Sequence, residues 1–456
     1  MELEHYLSRA VRDISAWQAE FGPYQPDAST EVDPDAMAAA FGELVARLRD
    51  NYPFFHPSYA GQMLKPPHPA AVAGYVAAML INPNNHASDG GPATARMEKE
   101  VVADLGRMFG YGGALGHLTT SGTIANLEAL FVSRELHPTK GIAYSADAHY
   151  THARMCHLLG VRAWAVPTDA AGRMDLDALQ PLLRSGEVGT VVFTAGTTGL
   201  GAVDPVDEGL ALCRRHGVRV HVDAAYGGFF TLIADDRPGG VASAPLRAIA
   251  GCDSVVVDPH KHGLQPYGCG AVLFRDPSVA RFYLHDSPYT YFTSDELHLG
   301  EISLECSRAG ASAAALWLTL QVLPLTAGGL GAVLRPGRRA ALAWADLLAG
   351  AERVELYQQP ELDIVTFFPV AERLSDIDRL SHRVLEAGMA RPPDQALYLA
   401  AYDVSAEDLQ ARGHHITADV PRGRILRSVL MKPESEAAVP MLHDRLLTLI
   451  ADADQT

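Results

Sequence analysis

Short runs of β-branched and apolar residues alternate with helical segments between residues 90 and 275. The clearest runs are TVVFT at 190–194, VRVHV at 218–222 and SVVV at 254–257, and a helical pattern at 208–216 separates the first two. Strands that are spaced by helices require crossover connections. The pattern therefore predicts an α/β domain with a mostly parallel central sheet and helices on both faces.

The N-terminal residues have a helical pattern. Apolar residues recur with helical spacing from Tyr6 to Trp17, and a second helical stretch covers residues 34–50. A link rich in proline and aromatic residues follows at 52–59. We expect a helical arm over residues 1–60.

The last third of the chain mixes helices with a few strands. DIVTFF at 363–368 and ILRSVLM at 425–431 have the apolar and β-branched residues typical of strands, and a helical pattern covers 434–451. These elements predict a small C-terminal α+β domain over residues 331–456. Residues 61–330 then form the large α/β domain.

Two further apolar runs need interpretation. GAVLF at 270–274 follows the preceding strand after a short loop, which favours an antiparallel neighbour in the sheet. Residues 309–334 carry no charge and are numerous enough to cross a bilayer. Pro324 and the glycines that follow it interrupt this run, so we expect a buried helix near 313–322 and then a turn.

Composition excludes several classes of protein. Of the 456 residues, 48% are apolar and 20% are charged, which is typical of globular chains. The formal charge of −17 repels phosphate backbones and anionic lipids, so we expect neither a nucleic-acid nor a membrane partner. The N-terminus has no signal-peptide pattern. Five scattered cysteines without a C-x-x-C pair favour a reducing cytoplasm.

Polar residues at the ends of the predicted strands are the candidates for chemistry, because ligands of α/β sheets bind there. Neither a P-loop nor a convincing dinucleotide fingerprint is present. TTSGT at 119–123 instead precedes a helical run at 124–134. Hydroxyls and free N–H groups at a helix start suit a phosphate, although a plain helix cap explains the segment equally well.

An acid and an amine follow two other strands. Asp223 comes directly after the run at 218–222. A buried carboxylate at this position needs a cationic or hydrogen-bonding partner. The alternative is a structural role in which Asp223 caps the next turn. Lys261, in DPHKHG, follows the run ending at Val257. A desolvated amine favours Schiff-base chemistry, and an ordinary surface lysine is the alternative.

His149 follows a short apolar run at 141–145 and is placed either to stack on a planar ring or to lie in a solvated loop. A metal site would need a third ligand at a typical spacing. Neither the pair His149 and His152 nor the pair His260 and His262 has one, so we expect no metal. A phosphate cradle, a stacking ring, an acid and an amine together match the needs of pyridoxal 5′-phosphate.

Three segments carry a family resemblance: VDAAYGG at 222–228, DPHKHG at 258–263 and SADAHYTHAR at 145–154. With them the chain resembles the group II pyridoxal-phosphate-dependent amino-acid decarboxylases, which include aromatic-amino-acid, glutamate and archaeal tyrosine/aspartate decarboxylases. The similarity runs from residue 56 to residue 318, and a weaker similarity covers residues 425–433. It implies the pyridoxal-phosphate transferase fold type I and decarboxylation of an L-amino acid to an amine and CO₂.

The resemblance also implies residue roles. Lys261 carries the cofactor as a Schiff base, Asp223 pairs with the ring nitrogen, and His149 stacks on one ring face. Ala225 lies against the other face. The residues implied for the phosphate are Ser121, Gly122, Thr123, Thr198 and His260. The residues implied for the substrate are His56, Tyr59, Gln62 and Arg308.

The chain departs from the family pattern at two positions. His262 follows the lysine where aromatic decarboxylases usually carry tryptophan, and Asp258 replaces a common asparagine, which places a negative charge near the expected phosphate. The family's loop tyrosine, which reprotonates the product carbon, has three alternatives here: Tyr283, Tyr289 and Tyr291.

Three further expectations remain open at the level of sequence. Decarboxylation coupled to oxidative deamination, which yields an aldehyde, and a non-catalytic cofactor-binding relative are the alternatives to amine formation. The family resemblance also implies a homodimer with shared active sites. Which amino acid is the substrate does not follow from the residues.

Overall fold

The computed structural model describes residues 2–284 and 298–454. The α-helices of the first range are α1 Leu3–Ala19, α2 Pro34–Leu48, α3 Pro69–Met79, α4 Pro92–Met108, α5 Gly122–Leu136, α6 Thr151–Leu159, α7 Leu176–Ser185, α8 Val206–Arg215 and α9 Ser243–Ala248. Those of the second range are α10 Gly310–Val322, α11 Leu330–Ala349, α12 Leu374–Ala390, α13 Ala406–Ala411 and α14 Ser435–Asp454.

The strands form two sheets. The strands of the larger sheet are β1 Leu115–Thr119, β2 Gly141–Ser145, β3 Ala163–Val166, β4 Val188–Thr194, β5 Arg219–Asp223, β6 Ser254–Val257 and β7 Gly270–Phe274. Those of the smaller sheet are β8 Val354–Gln358, β9 Ile364–Pro369, β10 Ala400–Val404 and β11 Gly423–Val429.

The larger sheet has the order β1-β7-β6-β5-β4-β2-β3. The pairs of neighbouring strands from β6 to β3 are parallel, and β7 is antiparallel to both β1 and β6. The predicted mostly parallel sheet is therefore confirmed, as is the antiparallel position of GAVLF. This order brings the carboxyl ends of β4, β5 and β6 to one edge.

Both faces of this sheet are covered, as predicted. Successive residues of a strand point to opposite faces. Val255 and Val257 of β6 pack into one buried cluster with Leu179 of α7. Val256 between them packs into another cluster with Ala129 of α5. Helices on each side therefore exclude water from the central strands, whereas the edge strand β3 is partly exposed.

The smaller sheet is antiparallel, with the order β10-β11-β9-β8. Trp344 of α11, Phe367 of β9 and Leu446 of α14 share its buried core. This unit is the predicted C-terminal α+β domain. The domain boundaries near residues 60 and 330 stay a prediction.

The N-terminal arm consists of α1 and α2. Neither helix contains a buried residue, although both carry apolar side chains. Asp33 caps α2 by accepting a hydrogen bond from the N–H of Ala36, and Pro34 occupies its first position. The arm thus has local helix signals without a hydrophobic core of its own.

The uncharged run at 309–334 forms α10 and the turn after it. α10 packs against α3 and α4, and Leu316 and Ala313 are buried in the main core. The predicted buried helix and turn are confirmed. Within the described ranges, no helix is both long and apolar enough to cross a membrane.

Candidate active site

The carboxyl ends of β4, β5 and β6 surround a cavity of about 220 Å³. Thr194, Asp223 and Asp258, at or just after the ends of these strands, all line it. The remaining lining residues are Ser121, Gly122, Thr123, Asn126, His149, Tyr150, Thr151, Gly196, Thr198, Ala225, Tyr226, His260 and Lys261. Every residue that the sequence predicts for cofactor binding is therefore at this one cavity.

The N-terminus of α5 opens onto the cavity. Ser121 caps the helix by accepting a hydrogen bond from the N–H of Ile124 at 3.3 Å. The N–H groups of the first turn have no carbonyl partner within a helix, and the helix dipole adds positive potential there. At Gly122 a Cβ atom would lie only 2.6 Å from Oδ2 of Asp258, so a larger residue does not fit.

Asp223 ends β5 as a buried carboxylate with a donor at each oxygen. His152 Nε2 lies 2.8 Å from its Oδ2, and the N–H of Ala225 donates to its Oδ1 at 3.1 Å. Burial raises the pKa of Asp223, but His152, through its hydrogen bond and its charge, together with Lys261 and Ala225, outweighs this effect. The pKa of Asp223 is thus held well below its usual range, and the group is ionised at neutral pH.

Lys261 follows β6 and contacts the other acid of the site. Its Nζ lies 3.1 Å from Oδ2 of Asp258, and Nε2 of His260 lies 3.5 Å from the same oxygen. His260 donates from Nδ1 to the carbonyl of Cys269 at 2.8 Å, which fixes its ring. The charge of Asp258, which the sequence left unexplained, is thus countered by the lysine.

His149 presents a neutral ring at the cavity. Its Nδ1 accepts a hydrogen bond from the N–H of Thr151 at 3.2 Å and lies 2.6 Å from the Thr151 hydroxyl. Burial is the largest effect on the pKa of His149 and lowers it. The charge of Asp223 acts to raise this pKa, and the charge of Lys261 acts to lower it further. An uncharged, fixed imidazole is suited to stack on a flat ring.

The predicted substrate residues lie outside this cavity. His56 and Gln62 are exposed, and Tyr59 is buried beside them, with its ring 4.9 Å from that of Phe54. Arg308 is also buried, where its Nη1 contacts Oε1 of Glu98 at 2.5 Å. The same Nη1 donates to the carbonyl of Leu118 near the carboxyl end of β1, so Arg308 lies close to this edge of the sheet without lining the cavity.

Of the three candidate tyrosines, the described residues include Tyr283. Tyr283 is buried, and its ring packs 5.6 Å from that of Phe131. Burial and the nearby Glu128 raise its pKa well above the usual value. Tyr289 and Tyr291 lie outside the described residues.

Comparison with known proteins decides the family. The model of the pyridoxal-dependent decarboxylase conserved domain matches residues 51–369 of the chain. The chain belongs to the pyridoxal-dependent decarboxylase family. The predicted activity, decarboxylation of an amino acid with pyridoxal phosphate, is thereby confirmed.

Curated decarboxylases resemble the chain over most of its length. The probable L-tyrosine/L-aspartate decarboxylase of Methanothermobacter thermautotrophicus is 31% identical over 284 residues, which span 60% of this chain and 73% of that protein. The L-tyrosine decarboxylase of Enterococcus faecium is 27% identical over an alignment of 491 residues, which spans 82% and 80% of the two chains.

Solved structures confirm the fold. Mouse CSAD matches with a TM-score of 0.78 and 22% identity over 98% of both chains. Oryza sativa TDC with PLP and tryptamine matches with a TM-score of 0.80 and 20% identity over 99% of this chain and 98% of that one. The predicted fold type I of this decarboxylase is therefore correct.

The cavity of this decarboxylase fits pyridoxal phosphate. Asp258 Oδ1 and Thr194 Oγ1 are buried without a hydrogen-bond partner among the described residues. Gly122 presents bare backbone at the start of α5, because a Cβ atom there would lie 2.6 Å from Oδ2 of Asp258. An ionised acid at Asp223 and an amine at Lys261 stand beside these groups, and this cofactor requires both an acid for its ring nitrogen and an amine for its aldehyde.

Sequence reasoning missed two residues of this decarboxylase site. The sequence offers His152 only as half of a histidine pair without a third metal ligand, yet its imidazole contacts Asp223. Arg427 of β11 is buried and donates to the carbonyls of Thr198 and Gly199 at 2.6 and 2.9 Å. The position of His152 one helical turn after His149 was the available signal, whereas no local pattern pointed to Arg427.

Proposed function

We propose that Lys261 binds the aldehyde of pyridoxal phosphate, that Asp223 pairs with the ring nitrogen, and that His149 and Ala225 lie against the two ring faces. The residues proposed for the phosphate are Ser121, Gly122, Thr123, Thr198 and His260. Their common position around one cavity at the strand ends is the observation that carries the assignment.

When bound, pyridoxal phosphate supplies an electron-accepting ring that stabilises the electron pair left on the substrate Cα as CO₂ departs. The chain's part is to hold that ring and to manage protons. Asp223, ionised and buried, keeps a proton on the ring nitrogen. Lys261 or a tyrosine then returns a proton to Cα, for which Tyr283, Tyr289 and Tyr291 remain the candidates.

The segment that carries Tyr59 and Gln62 is proposed to bind the substrate. Arg427 donates to the carbonyl of Gly61 at 3.2 Å as well as to that of Thr198, which lines the cavity. The guanidinium of Arg427 thus holds the segment beside the cavity, although the side chains of the segment do not line the cavity. His56 belongs to the same segment.

We propose an aromatic L-amino acid, such as tyrosine, as the substrate. The guanidinium of Arg308, which the sequence leaves open to an α-carboxylate or a side-chain acid, is already paired with Glu98 and the carbonyl of Leu118. Tyr59 lies in an aromatic cluster with Tyr52 and Phe54. Because relatives are named as L-tyrosine and L-aspartate decarboxylases, tyrosine and aspartate are the first two substrates whose decarboxylation should be compared.

A homodimer is proposed because the N-terminal arm leaves an apolar stripe uncovered. The exposed apolar residues of α2 recur at helical spacing: Met37, Phe41, Leu44, Val45 and Leu48. A second copy of the chain would bury this stripe. Light scattering is expected to give a dimer, and a fully active monomer would refute the proposal.

The cytoplasm is the proposed location. Cys156, Cys213, Cys252, Cys269 and Cys306 are all free thiols, and the first four are buried. A reducing compartment preserves such thiols. No metal, nucleic acid or membrane has a part in the proposed reaction.

The activity is tested by incubating the purified chain and pyridoxal phosphate with aromatic, acidic and basic L-amino acids. We expect CO₂ release to be greatest with an aromatic substrate and to be lost in Lys261→Ala. The amine should accumulate without oxygen consumption. An aldehyde that forms as oxygen disappears would instead support oxidative deamination, and CO₂ from aspartate alone would refute the aromatic preference.

A further inference from the structure

A buried histidine lies behind the acid of the active site. His152 is the second residue of α6, and its side chain is fully buried. Its Nε2 contacts Asp223 Oδ2 at 2.8 Å, while its Nδ1 has no hydrogen-bond partner among the described residues. It does not line the cavity. The imidazole of His152 therefore reaches the cavity through Asp223.

The start of α6 directs two histidines to different places. The N–H of His152 donates to the carbonyl of His149 at 3.1 Å, so the two residues belong to one turn. His149 lines the cavity, whereas the ring of His152 is stacked 6.0 Å from that of Tyr144 with an angle of 29°. Packing of this ring in the core aims Nε2 at the carboxylate.

The contacts select the form of the imidazole. A proton on Nε2 donates to the carboxylate both in the cationic imidazole and in the neutral tautomer that leaves a lone pair at Nδ1. The other neutral tautomer would set a lone pair against the carboxylate and bury an N–H group without an acceptor, which is unfavourable. His152 thus acts as a donor to Oδ2, opposite the Ala225 N–H at Oδ1.

We propose that His152 is a positioning residue that fixes the orientation and the charge of Asp223 toward the pyridine nitrogen. This inference rests on the proposed role of Asp223. Two donors at opposite oxygens prevent the carboxylate from rotating, and the donor at Oδ2 stabilises its ionised form. The histidine thereby maintains the proton on the ring nitrogen without touching the cofactor or the substrate.

The surroundings of Asp223 support this role. Its burial acts to raise the pKa, and the contributions of His152 come next in size, ahead of those of Lys261 and Ala225. The neighbouring His221 bonds Ser254 and Asn126 rather than the acid, and burial lowers its pKa to about 3. His152 is therefore the histidine that opposes the effect of burial on Asp223.

Two substitutions of matched size separate hydrogen bonding from packing. His152→Gln keeps an N–H donor near the Nε2 position, and His152→Met has nearly the same length without a donor. Each full-length chain is titrated with pyridoxal phosphate, and its absorbance spectrum, kcat and KM are measured. His157→Met, at an exposed position of the same helix, is the control.

We expect His152→Met to raise the dissociation constant of the cofactor and to lower kcat, each by about tenfold to a hundredfold, as expected for a lost hydrogen bond to a charged group. KM should change little, and the absorbance band of the lysine-bound cofactor should shift. His152→Gln should restore both constants to within about threefold of the unaltered chain. His157→Met should behave like the unaltered chain.

Equal cofactor affinities, spectra and kcat in the Gln and Met variants would overturn the inference while leaving the proposed function intact. An unaltered chain that neither binds the cofactor nor releases CO₂ would overturn both. A measurement on the unaltered chain covers the case in which the Met variant does not fold. Nitrogen-15 NMR should find a proton on Nε2 of His152, and a proton on Nδ1 with bare Nε2 would overturn the inference.

Discussion

Nζ of Lys261 lies 3.1 Å from Oδ2 of Asp258, and the same carboxylate abuts Gly122 at the start of α5. One acid thus contacts both the amine proposed for the cofactor aldehyde and the helix end proposed for the phosphate. This position gives Asp258 a direct influence on how the chain takes up pyridoxal phosphate.

Asp258→Asn should accelerate cofactor uptake. The substitution removes a negative charge beside the phosphate position and releases Lys261 from its ion pair. We expect the association rate constant of pyridoxal phosphate to rise by about three- to tenfold, measured by stopped-flow absorbance. Asp236→Asn, at an exposed position, removes the same charge and should have no effect. Slower uptake in Asp258→Asn would contradict the expectation.

Gly122→Ala should weaken cofactor binding. The new Cβ atom would meet the Asp258 carboxylate at 2.6 Å, so either α5 or the acid must move. We expect the dissociation constant of pyridoxal phosphate to rise by at least about tenfold, or about 1.4 kcal/mol. Gly112→Ala is the matched control, because no atom lies within 4 Å of its added Cβ. Unchanged affinity in Gly122→Ala would argue against a phosphate site here.

Glu128→Gln should change the pH dependence of stability. Glu128 of α5 is buried against His117, with Oε2 2.8 Å from Nε2 of the imidazole. Burial raises the pKa of Glu128 to about 8, and burial lowers that of His117 well below its usual value. A protonated carboxyl therefore donates to a neutral imidazole, and the glutamine amide preserves that hydrogen bond.

A carboxyl whose pKa is higher in the folded chain contributes stability that is complete below its unfolded pKa, near 4.5, and is lost as the pH rises through 8. The free energy of unfolding of the unaltered chain should therefore decline by about 4 kcal/mol relative to Glu128→Gln over that window. Urea denaturation at several pH values measures it. Glu135→Gln, partly exposed on the same helix, should follow the unaltered chain. Parallel profiles for Glu128→Gln and the unaltered chain would refute the prediction.

Arg427→Met should destabilise the chain. The buried guanidinium donates to the carbonyls of Gly61, Thr198 and Gly199, and its loss leaves these acceptors without a donor. We expect the free energy of unfolding to fall by about 3 kcal/mol. Arg424→Met, on the same strand, breaks a partly exposed ion pair with Asp378 and should cost less than about 1 kcal/mol. Equal losses in the two variants would contradict this account of Arg427.

The sheet could be predicted where the sequence is locally unambiguous. The β-branched runs of β4, β5 and β6 allow little besides buried strands, and the short loop before GAVLF indicated its reversed direction. The helices α3 and α4 were not predicted. α3 is rich in alanine and lacks a strong apolar stripe, so its structure depends on packing against α10.

The site was predictable as far as the strand ends determine it. Asp223 ends β5 and Lys261 lies in the loop after β6, so their convergence follows from the order of these neighbouring strands. Arg308 illustrates the limit, because its partner Glu98 lies 210 positions away in the chain. His152 shows the same limit, since helical spacing does not tell which buried atom an imidazole will face.

The central claim is that the amine of Lys261 binds the cofactor covalently. Reduction of the cofactor-loaded chain with borohydride, followed by peptide mass spectrometry, tests it directly. We predict a single pyridoxyl adduct on the peptide that contains Lys261 and its disappearance in Lys261→Ala. An adduct on another lysine, or none on a chain that still releases CO₂, would contradict the account.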